Sequence, residues 1–327
     1  MGTFANFLML LAGLGVFLLG MQLISRNLQK IAGGNVSRML GKMSGNRLAG
    51  IGMGAGAAVI LESSSATTVI LLGLVNSGIV NLLQATLIIM GANVGTTFTV
   101  LLFSLGYLPV GELLAFCALI GASVVMGSKK EKNRTIGWII AGFGLIFIGL
   151  DTMGNSVEFL KESKRLADLI LSVENPFLLV LIGAFSSGIV QSSTAITGIS
   201  ITFAEAGLMR AGAAFYIILG SNVGTCILAI LASLGANLNA KRTALIHLLF
   251  NVIGVIVFMP FLIIWGDTVC INALKKISPA ALIAYFHVVF NLTTTIILFP
   301  FVKTLANLSV ILLPDKLPQK SPPSAST

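Results

Sequence analysis

The stretch "GAAVILESSSATTVILLG" (56–73) places a carboxylate, three consecutive serines and two threonines inside a run that is otherwise apolar enough for a membrane. An ionised carboxylate in hydrocarbon is costly and generally persists only beside a partner. Glu62 is therefore the sharpest functional signal in the sequence. Since no Lys or Arg lies in any predicted membrane segment, we expect the partner of Glu62 to be a bound cation or a proton.

The composition is that of an integral membrane protein. Of the 327 residues, 56% are hydrophobic and 9% are charged, and the mean hydropathy is +1.00. Apolar windows of roughly 20 residues, the length that crosses a bilayer as a helix, recur along the chain. Because backbone groups inside a bilayer must be satisfied internally, we predict an all-α membrane fold. The three cysteines are scattered without metal-like spacing, and we assign them no role.

The formal net charge of +9 reports topology rather than nucleic-acid binding, because the basic residues are spread over short loops. Placing the loops at 26–47, 129–134 and 241–242 and the segment from 303 onward in the cytoplasm puts 14 of the 20 Lys and Arg residues there. This is the bias of the positive-inside rule. We therefore expect a multi-pass protein of the cell membrane with an external N-terminus and a cytoplasmic C-terminus.

An internal repeat organises the chain. The motif "GANVGTT" (91–97) returns as "GSNVGTC" (220–226), an offset of 129 residues. At the same offset and without a gap, 54–102 and 183–231 share 18 identities in 49 positions. This is too many for similar composition alone, and it indicates a duplicated unit of the kind found in transporters.

The duplication divides the chain into three parts. We predict a first transport repeat at 1–135 and a second at 136–302, which includes an additional C-terminal helix. The remaining residues, 303–327, include a Pro/Ser-rich stretch and predict a disordered cytoplasmic tail.

Each repeat contains a Ser-rich element, "ESSSATT" (62–68) or "QSSTAIT" (191–197). If each element forms a re-entrant helical hairpin, each repeat has three full crossings and the two repeats are inverted. The expected crossings are 4–24, 82–104, 110–127, 136–155, 212–234, 243–266 and 281–302. The Gly-rich motifs predict a broken helix after each hairpin, and paired interruptions point to a binding site. The amphipathic segments 25–48 and 156–176 predict helices at the membrane interface.

These elements resemble the type II sodium-phosphate cotransporter family and its bacterial relatives over about 4–302, including "HLLFN" (247–251) and "HVVFN" (287–291). The repeated Gln-Ser-Ser-Ser element of that family matches Ser63, Ser64 and Ser65 in the first copy and Gln191, Ser192, Ser193 and Thr194 in the second. Glu62 stands where the family usually has Gln, which leaves open whether sodium or a proton is the coupling ion.

The resemblance implies sodium-driven import of inorganic phosphate by a protein that is not an enzyme. It places phosphate near the hydroxyls of Ser63, Ser64, Ser65, Ser192, Ser193 and Thr194. The residues that are able to supply oxygen ligands to sodium are Glu62, Gln191, Thr68, Thr197, Asn93, Thr96, Asn222 and Thr225. Hydroxyls and N–H groups at the positive ends of half-helices suit an anion. With no basic side chain expected nearby, bound sodium is the plausible counter-charge.

Three alternatives remain. A sodium- or proton-coupled carrier of carboxylates or amino acids would be expected to hold an Arg for the carboxylate. A channel is disfavoured because the polar residues are confined to two short clusters. A membrane enzyme is disfavoured because the only two histidines, His247 and His287, lie in a scaffold-like repeat and form no nucleophile-base set.

Overall fold

The computed structural model describes residues 2–43, 46–106, 111–162 and 172–315. Within these ranges every regular element is a helix and no β-strand occurs, which confirms the predicted all-α class. In chain order the helices are α1 (Gly2–Gly41), α2 (Arg47–Leu61), α3 (Ser64–Asn76), α4 (Leu82–Gly95), α5 (Thr97–Leu105), α6 (Gly111–Ala115), α7 (Cys117–Gly127), α8 (Glu131–Glu162), α9 (Pro176–Val190), α10 (Ser193–Glu205), α11 (Ala211–Gly224), α12 (Cys226–Ser233), α13 (Leu238–Leu274), α14 (Pro279–Leu298) and α15 (Val302–Leu312). A 3₁₀ turn, Phe299–Phe301, joins α14 to α15.

Six helical stretches of the described chain are long and apolar enough to cross a membrane. They are Ala5–Gly41, Leu82–Leu105, Glu131–Val157, Ala211–Ser233, Leu238–Leu274 and Pro279–Leu312. Six of the seven predicted crossings correspond to them. The seventh, 110–127, corresponds to the shorter apolar pair α6 and α7, and its first residue lies outside the described ranges. The protein is therefore a multi-pass membrane protein.

Two sequence predictions at segment ends were wrong. The segment 25–48 does not begin a separate interfacial helix, because α1 continues unbroken to Gly41 and buries Val36 and Leu40 beside the first Ser-rich unit. The tail predicted as disordered from residue 303 begins with α15, whose buried face packs against α13 and α4. Both segments are ordered because they cover apolar surface. Residues 163–171 and 316–327 lie outside the described ranges.

The duplication is preserved in the helix boundaries. Helices α2, α3 and α4 begin and end 129 residues before α9, α10 and α11, respectively. In each copy the first two helices form a helix-turn-helix unit, which we call hairpin 1 (α2 and α3) and hairpin 2 (α9 and α10). Hairpin 1 packs on α4 and hairpin 2 packs on α11.

Helices α1 and α8, which occupy equivalent places in the two copies, lie side by side and run antiparallel. Gly13 of α1 lies against Gly149 of α8, and Gly20 lies against Gly142. Further along, Lys30 pairs with Glu131 at 2.6 Å. Because residue numbers rise along α1 while they fall along α8, the C-terminal end of α1 lies beside the start of α8.

The bases of the two hairpins are tied to two later helices in the same way. At the end of hairpin 1, the Asn76 side-chain oxygen accepts the N–H of Asn237 at the start of α13 (2.7 Å). At the equivalent end of hairpin 2, the Glu205 carboxylate accepts the N–H of Ala280 at the start of α14 (2.7 Å). Helices α13 and α14 are antiparallel, since Gly254 lies near Thr294 while Phe258 contacts Phe286. The two anchors therefore lie at opposite ends of this helix pair.

Glycines bring each hairpin into backbone contact with the helix that follows it. Gly54 of α2 lies against the Ile88 carbonyl of α4, and its repeat counterpart Gly183 lies against the Ile217 carbonyl of α11. A methyl group at either glycine would overlap that carbonyl. Such small-residue contacts let membrane helices approach closely and pack tightly.

We predict that Gly54→Ala lowers stability by about 1–3 kcal/mol, because the new methyl group overpacks the α2/α4 contact. Gly52→Ala is the matched control, since a methyl group at Gly52 meets nothing within 4 Å. The measurement is the thermal unfolding midpoint of each variant in the same detergent. Equal midpoints for the two variants would contradict the close packing of α2 on α4.

Candidate functional site

Each hairpin reverses direction in two residues. In hairpin 1, Glu62 adopts the left-handed conformation (φ 54°, ψ 29°) and Ser63 is extended (φ −160°, ψ 119°). In hairpin 2, Gln191 (φ 58°, ψ 28°) and Ser192 (φ −149°, ψ 111°) adopt the same pair of conformations. Glu62 and Gln191 are the only non-glycine residues with positive φ in the described chain. Non-glycine residues in this region carry strain, and they cluster at functional sites.

The reversal satisfies the backbone at both helix ends. The N–H of Glu62 is directed at carbonyls of the last turn of α2, and that of Gln191 donates to the Ser187 carbonyl (2.6 Å). The next residue caps the following helix: Ser63 Oγ accepts the N–H of Ala66 (3.0 Å), and Ser192 Oγ accepts the corresponding N–H (3.1 Å). A serine at the N-cap and a left-handed residue just before it thus form the turn locally.

The two turns open into one cavity of about 1150 Å³. Its wall combines residues of hairpin 1, hairpin 2, α12 and one long stripe of α1. The polar wall residues are Gln22, Ser25, Arg26, Gln29, Glu62, Ser63, Ser65, Gln191 and Ser192. The structure therefore brings together residues from the two hairpins that are more than 120 positions apart in the sequence.

Five of the residues predicted from the sequence line this cavity: Glu62, Ser63, Ser65, Gln191 and Ser192. The carboxylate oxygen Oε2 of Glu62 is buried and has no hydrogen-bond partner in the described chain. Ser65 Oγ contacts the Thr225 carbonyl at 3.5 Å, a direct link between hairpin 1 and the second repeat.

The other predicted residues are buried and do not line the cavity. They are Ser64, Thr68, Asn93, Thr96, Ser193, Thr194, Thr197, Asn222 and Thr225. Thr68 and Thr197 each donate a hydroxyl proton to the carbonyl of the serine four residues earlier, both at 2.8 Å. Thr194 shares a hydroxyl contact of 3.0 Å with Ser192.

The predicted helix breaks lie at Thr96 and Thr225, but they are weaker than expected. Each threonine stays in the right-handed helical region, and its N–H still bonds to the carbonyl four residues earlier. Each threonine hydroxyl donates to the carbonyl of Asn93 or Asn222 at 2.8 Å. The backbone therefore stays helical through both residues, and neither break unwinds the chain.

The sequence reasoning missed the contribution of α1. Gln22, Ser25, Arg26 and Gln29 lie on one helical face, at spacings of three and four residues, and all line the cavity. The expectation that no basic side chain lies near the site was wrong, because the wall includes Arg26. The error came from ending the first crossing at residue 24, whereas α1 continues past it. The i, i+4 and i+7 polar spacing from Gln22 was the available signal.

The two histidines lie outside the wall of this cavity. His247 and His287 are fully buried on α13 and α14. Asn251 and Asn291 each donate to the carbonyl of the histidine four residues earlier, at 3.0 and 2.9 Å. Asn251 also contacts the Cys226 thiol of α12 at 3.3 Å. The Asn251–Cys226 contact joins α13 to α12.

Comparison with known proteins gives one family match and several relatives. The model of a family described as Na⁺/Pi-cotransporter matches residues 16–155 and 161–268. "Uncharacterized protein YqeW" of Bacillus subtilis is 29% identical over 303 residues, 92% of this chain and 96% of that protein. "Putative inorganic phosphate export protein YjbB" of Escherichia coli is 29% identical over 310 residues, 94% of this chain. The chain spans about half (56%) of that longer relative.

A shorter match involves "Sodium-dependent phosphate transport protein 2B" of Homo sapiens. It is 38% identical over 88 residues, which are 26% of this chain and 13% of the human protein. No solved structure matches this chain.

We predict that Gln191→Gly leaves the protein as stable as the wild type to within about 1 kcal/mol, because glycine adopts positive φ at no steric cost. Gln191→Val is the matched variant, and it should lose about 1–2 kcal/mol because a β-branched residue is strained there. Thermal unfolding midpoints of the two proteins give the comparison. A valine variant as stable as the glycine variant would refute the left-handed turn at residue 191.

Proposed function

The chain belongs to the Na⁺/Pi-cotransporter family, and on that premise we propose that it is a secondary active transporter that imports inorganic phosphate with sodium. The observation that carries the proposal is that both Ser-rich turns line a single cavity. In this mechanism phosphate and sodium bind together at the two turns. The hairpins then exchange exposure between the two sides of the membrane.

The start of each hairpin's second helix suits an anion. Helices α3 and α10 are each 13 residues long, and both begin at the cavity. Their N-terminal N–H groups carry the positive end of the helix dipole. Ser63 and Ser192 accept backbone hydrogen bonds there. A hydroxyl that accepts still has a proton to offer an anion. This supports phosphate binding at Ser63, Ser65 and Ser192, which line the cavity. We propose that backbone N–H groups at the helix starts, those of Ser64, Ser193 and Thr194, complete the site.

The surrounding side chains suit a cation for the opposite reason. Four threonine hydroxyls each donate a hydrogen bond to a backbone carbonyl; they belong to Thr68, Thr96, Thr197 and Thr225. Only lone pairs remain on these oxygens, and lone pairs are what sodium requires. Glu62 adds a buried carboxylate oxygen without a protein partner. We therefore place sodium among Glu62, Gln191, Thr68, Thr197, Asn93, Thr96, Asn222 and Thr225.

Helix lengths and anchors support a re-entrant, inverted arrangement of the hairpins. At 1.5 Å per residue, the 15 residues of α2 and of α9 span about 22 Å, less than the roughly 30 Å of a bilayer core. The hairpin bases are anchored at the starts of α13 and α14, which lie at opposite ends of an antiparallel pair. Each hairpin would then enter from its own side of the membrane, and the two turns would meet in the middle.

A second candidate function is favoured by Arg26. The sequence argument against a carrier of carboxylates or amino acids depended on the expected lack of an arginine, and Arg26 lines the cavity. A guanidinium binds carboxylates and phosphates alike through paired hydrogen bonds. A sodium- or proton-coupled carrier of another small anion is therefore the alternative, and competition experiments separate the two.

The proposal is tested by uptake of radiolabelled phosphate into proteoliposomes with an inward sodium gradient, compared with equal potassium and with a proton gradient. We expect uptake that saturates with phosphate and requires sodium. Excess unlabelled citrate, succinate or glutamate should leave the uptake unchanged. The same vesicles preloaded with phosphate measure efflux, which is relevant because the Escherichia coli relative is named for export.

We predict that Glu62→Gln raises the sodium concentration for half-maximal uptake about tenfold, because the variant loses the carboxylate among the proposed sodium ligands. Glu112→Gln is the matched control, since Glu112 is exposed on α6 and does not line the cavity. Unchanged sodium dependence in Glu62→Gln would remove Glu62 from the coupling site. Wild-type vesicles without phosphate uptake under any gradient would refute phosphate as the substrate.

A further inference from the structure

The cavity has a polar and an apolar half along α1. Its wall on this helix runs from Gly15 to Gly33, about 27 Å at 1.5 Å per residue. The half nearer the N-terminus is lined by Gly15 and leucines, whereas the half nearer the C-terminus is lined by Gln22, Ser25, Arg26 and Gln29. The polar half lies toward the part of α1 where Lys30 pairs with Glu131.

Arg26 is well placed to meet a solvated anion. Its side chain is exposed, and no ion pair to Arg26 occurs in the described chain. It is the only basic residue of the cavity wall among the described residues, and Glu62 is the only acidic one. A guanidinium without an ion-pair partner, on the wall of the cavity that both hairpin turns line, raises the local concentration of anions.

The repeat counterpart of this polar half carries the opposite charge. At the offset of 129 residues, Gln22 corresponds to Asp151 and Arg26 corresponds to Asn155 on α8. Asn155 donates to the Asp151 carboxylate at 3.1 Å, and both side chains are exposed. Because α1 and α8 are antiparallel, these two pairs lie toward opposite ends of the helix pair. One end therefore presents a cation, and the other presents an anion.

We infer that Arg26 recruits phosphate at one mouth of the transport path only, so that phosphate affinity is higher on the side of the α1 C-terminus than on the opposite side. The inference rests on the proposed function and adds a sidedness to it. The fixed guanidinium of Arg26 offsets part of the phosphate charge on its own side. No other basic side chain lines the cavity in the described chain, so phosphate entering from the opposite side depends more on sodium.

The test compares Arg26→Gln with wild type in proteoliposomes of known orientation, with labelled phosphate supplied on either side. An impermeant thiol reagent that reacts with Lys129→Cys reports the orientation, since Lys129 is exposed just before α8 begins. We expect the phosphate KM of Arg26→Gln to rise about tenfold on the side of the α1 C-terminus, and to stay within about twofold on the other side.

Two further variants separate recruitment from a structural role. Arg26→Lys keeps the charge and should recover most of the affinity, while Arg38→Gln, on the same helix but outside the cavity wall, should behave as wild type. The difference between wild type and Arg26→Gln should shrink at high ionic strength, because exposed charges are screened. A lower maximal rate with unchanged KM would mean a structural role and would overturn the inference.

Other outcomes also decide the question. An equal rise in KM on both sides would place Arg26 in the central binding site and overturn the sidedness. An unchanged KM in Arg26→Gln, with robust wild-type uptake, would overturn the inference alone. Wild-type vesicles that transport no phosphate would overturn the proposed function, and this inference with it.

Discussion

A helix that ends inside an apolar region must find hydrogen-bond partners for its unpaired backbone N–H and C=O groups. This requirement explains the conformation of the two hairpin turns. The left-handed conformation at Glu62 and Gln191 turns the backbone N–H back onto the helix that ends, and the following serine caps the helix that begins. The chain thus reverses in two residues without a large loop. The same reversal leaves the positive ends of α3 and α10 beside one cavity. The turn that satisfies the backbone therefore also presents the helix N-termini on which the phosphate site that we propose depends.

Close helix packing holds the two turns in place. Gly54 and Gly183 occupy equivalent positions and let α2 and α9 touch the backbone of the next helix. Asn76 and Glu205, also equivalent, tie the hairpin bases to α13 and α14. The repeated sequence therefore gives a repeated set of contacts. Gly54 and Gly183 are glycine in both copies because an added methyl group would overlap a carbonyl of the next helix.

Positions facing the cavity or solvent follow a different rule. Glu62 is replaced by Gln191 in the second copy, and Arg26 by Asn155, although the backbone at these places is alike. A side chain that lines a cavity or faces solvent is less constrained by packing, so its charge is free to differ between copies. The duplicated scaffold is nearly symmetric, and the charges placed on it are not.

Hydropathy and repeat spacing can be read from the linear chain, so the membrane class, the duplication, the positions of six long helices and the Ser-rich segments at both turns were predictable from the sequence. The predictions from the sequence failed where contacts between distant segments determine the structure. The extent of α1 past residue 24 and the order of α15 depend on apolar surfaces supplied by other helices. Arg26 lines the cavity because one face of α1 is turned toward both hairpins. Only the tertiary structure brings the two turns together, since that meeting depends on packing between helices more than 100 residues apart.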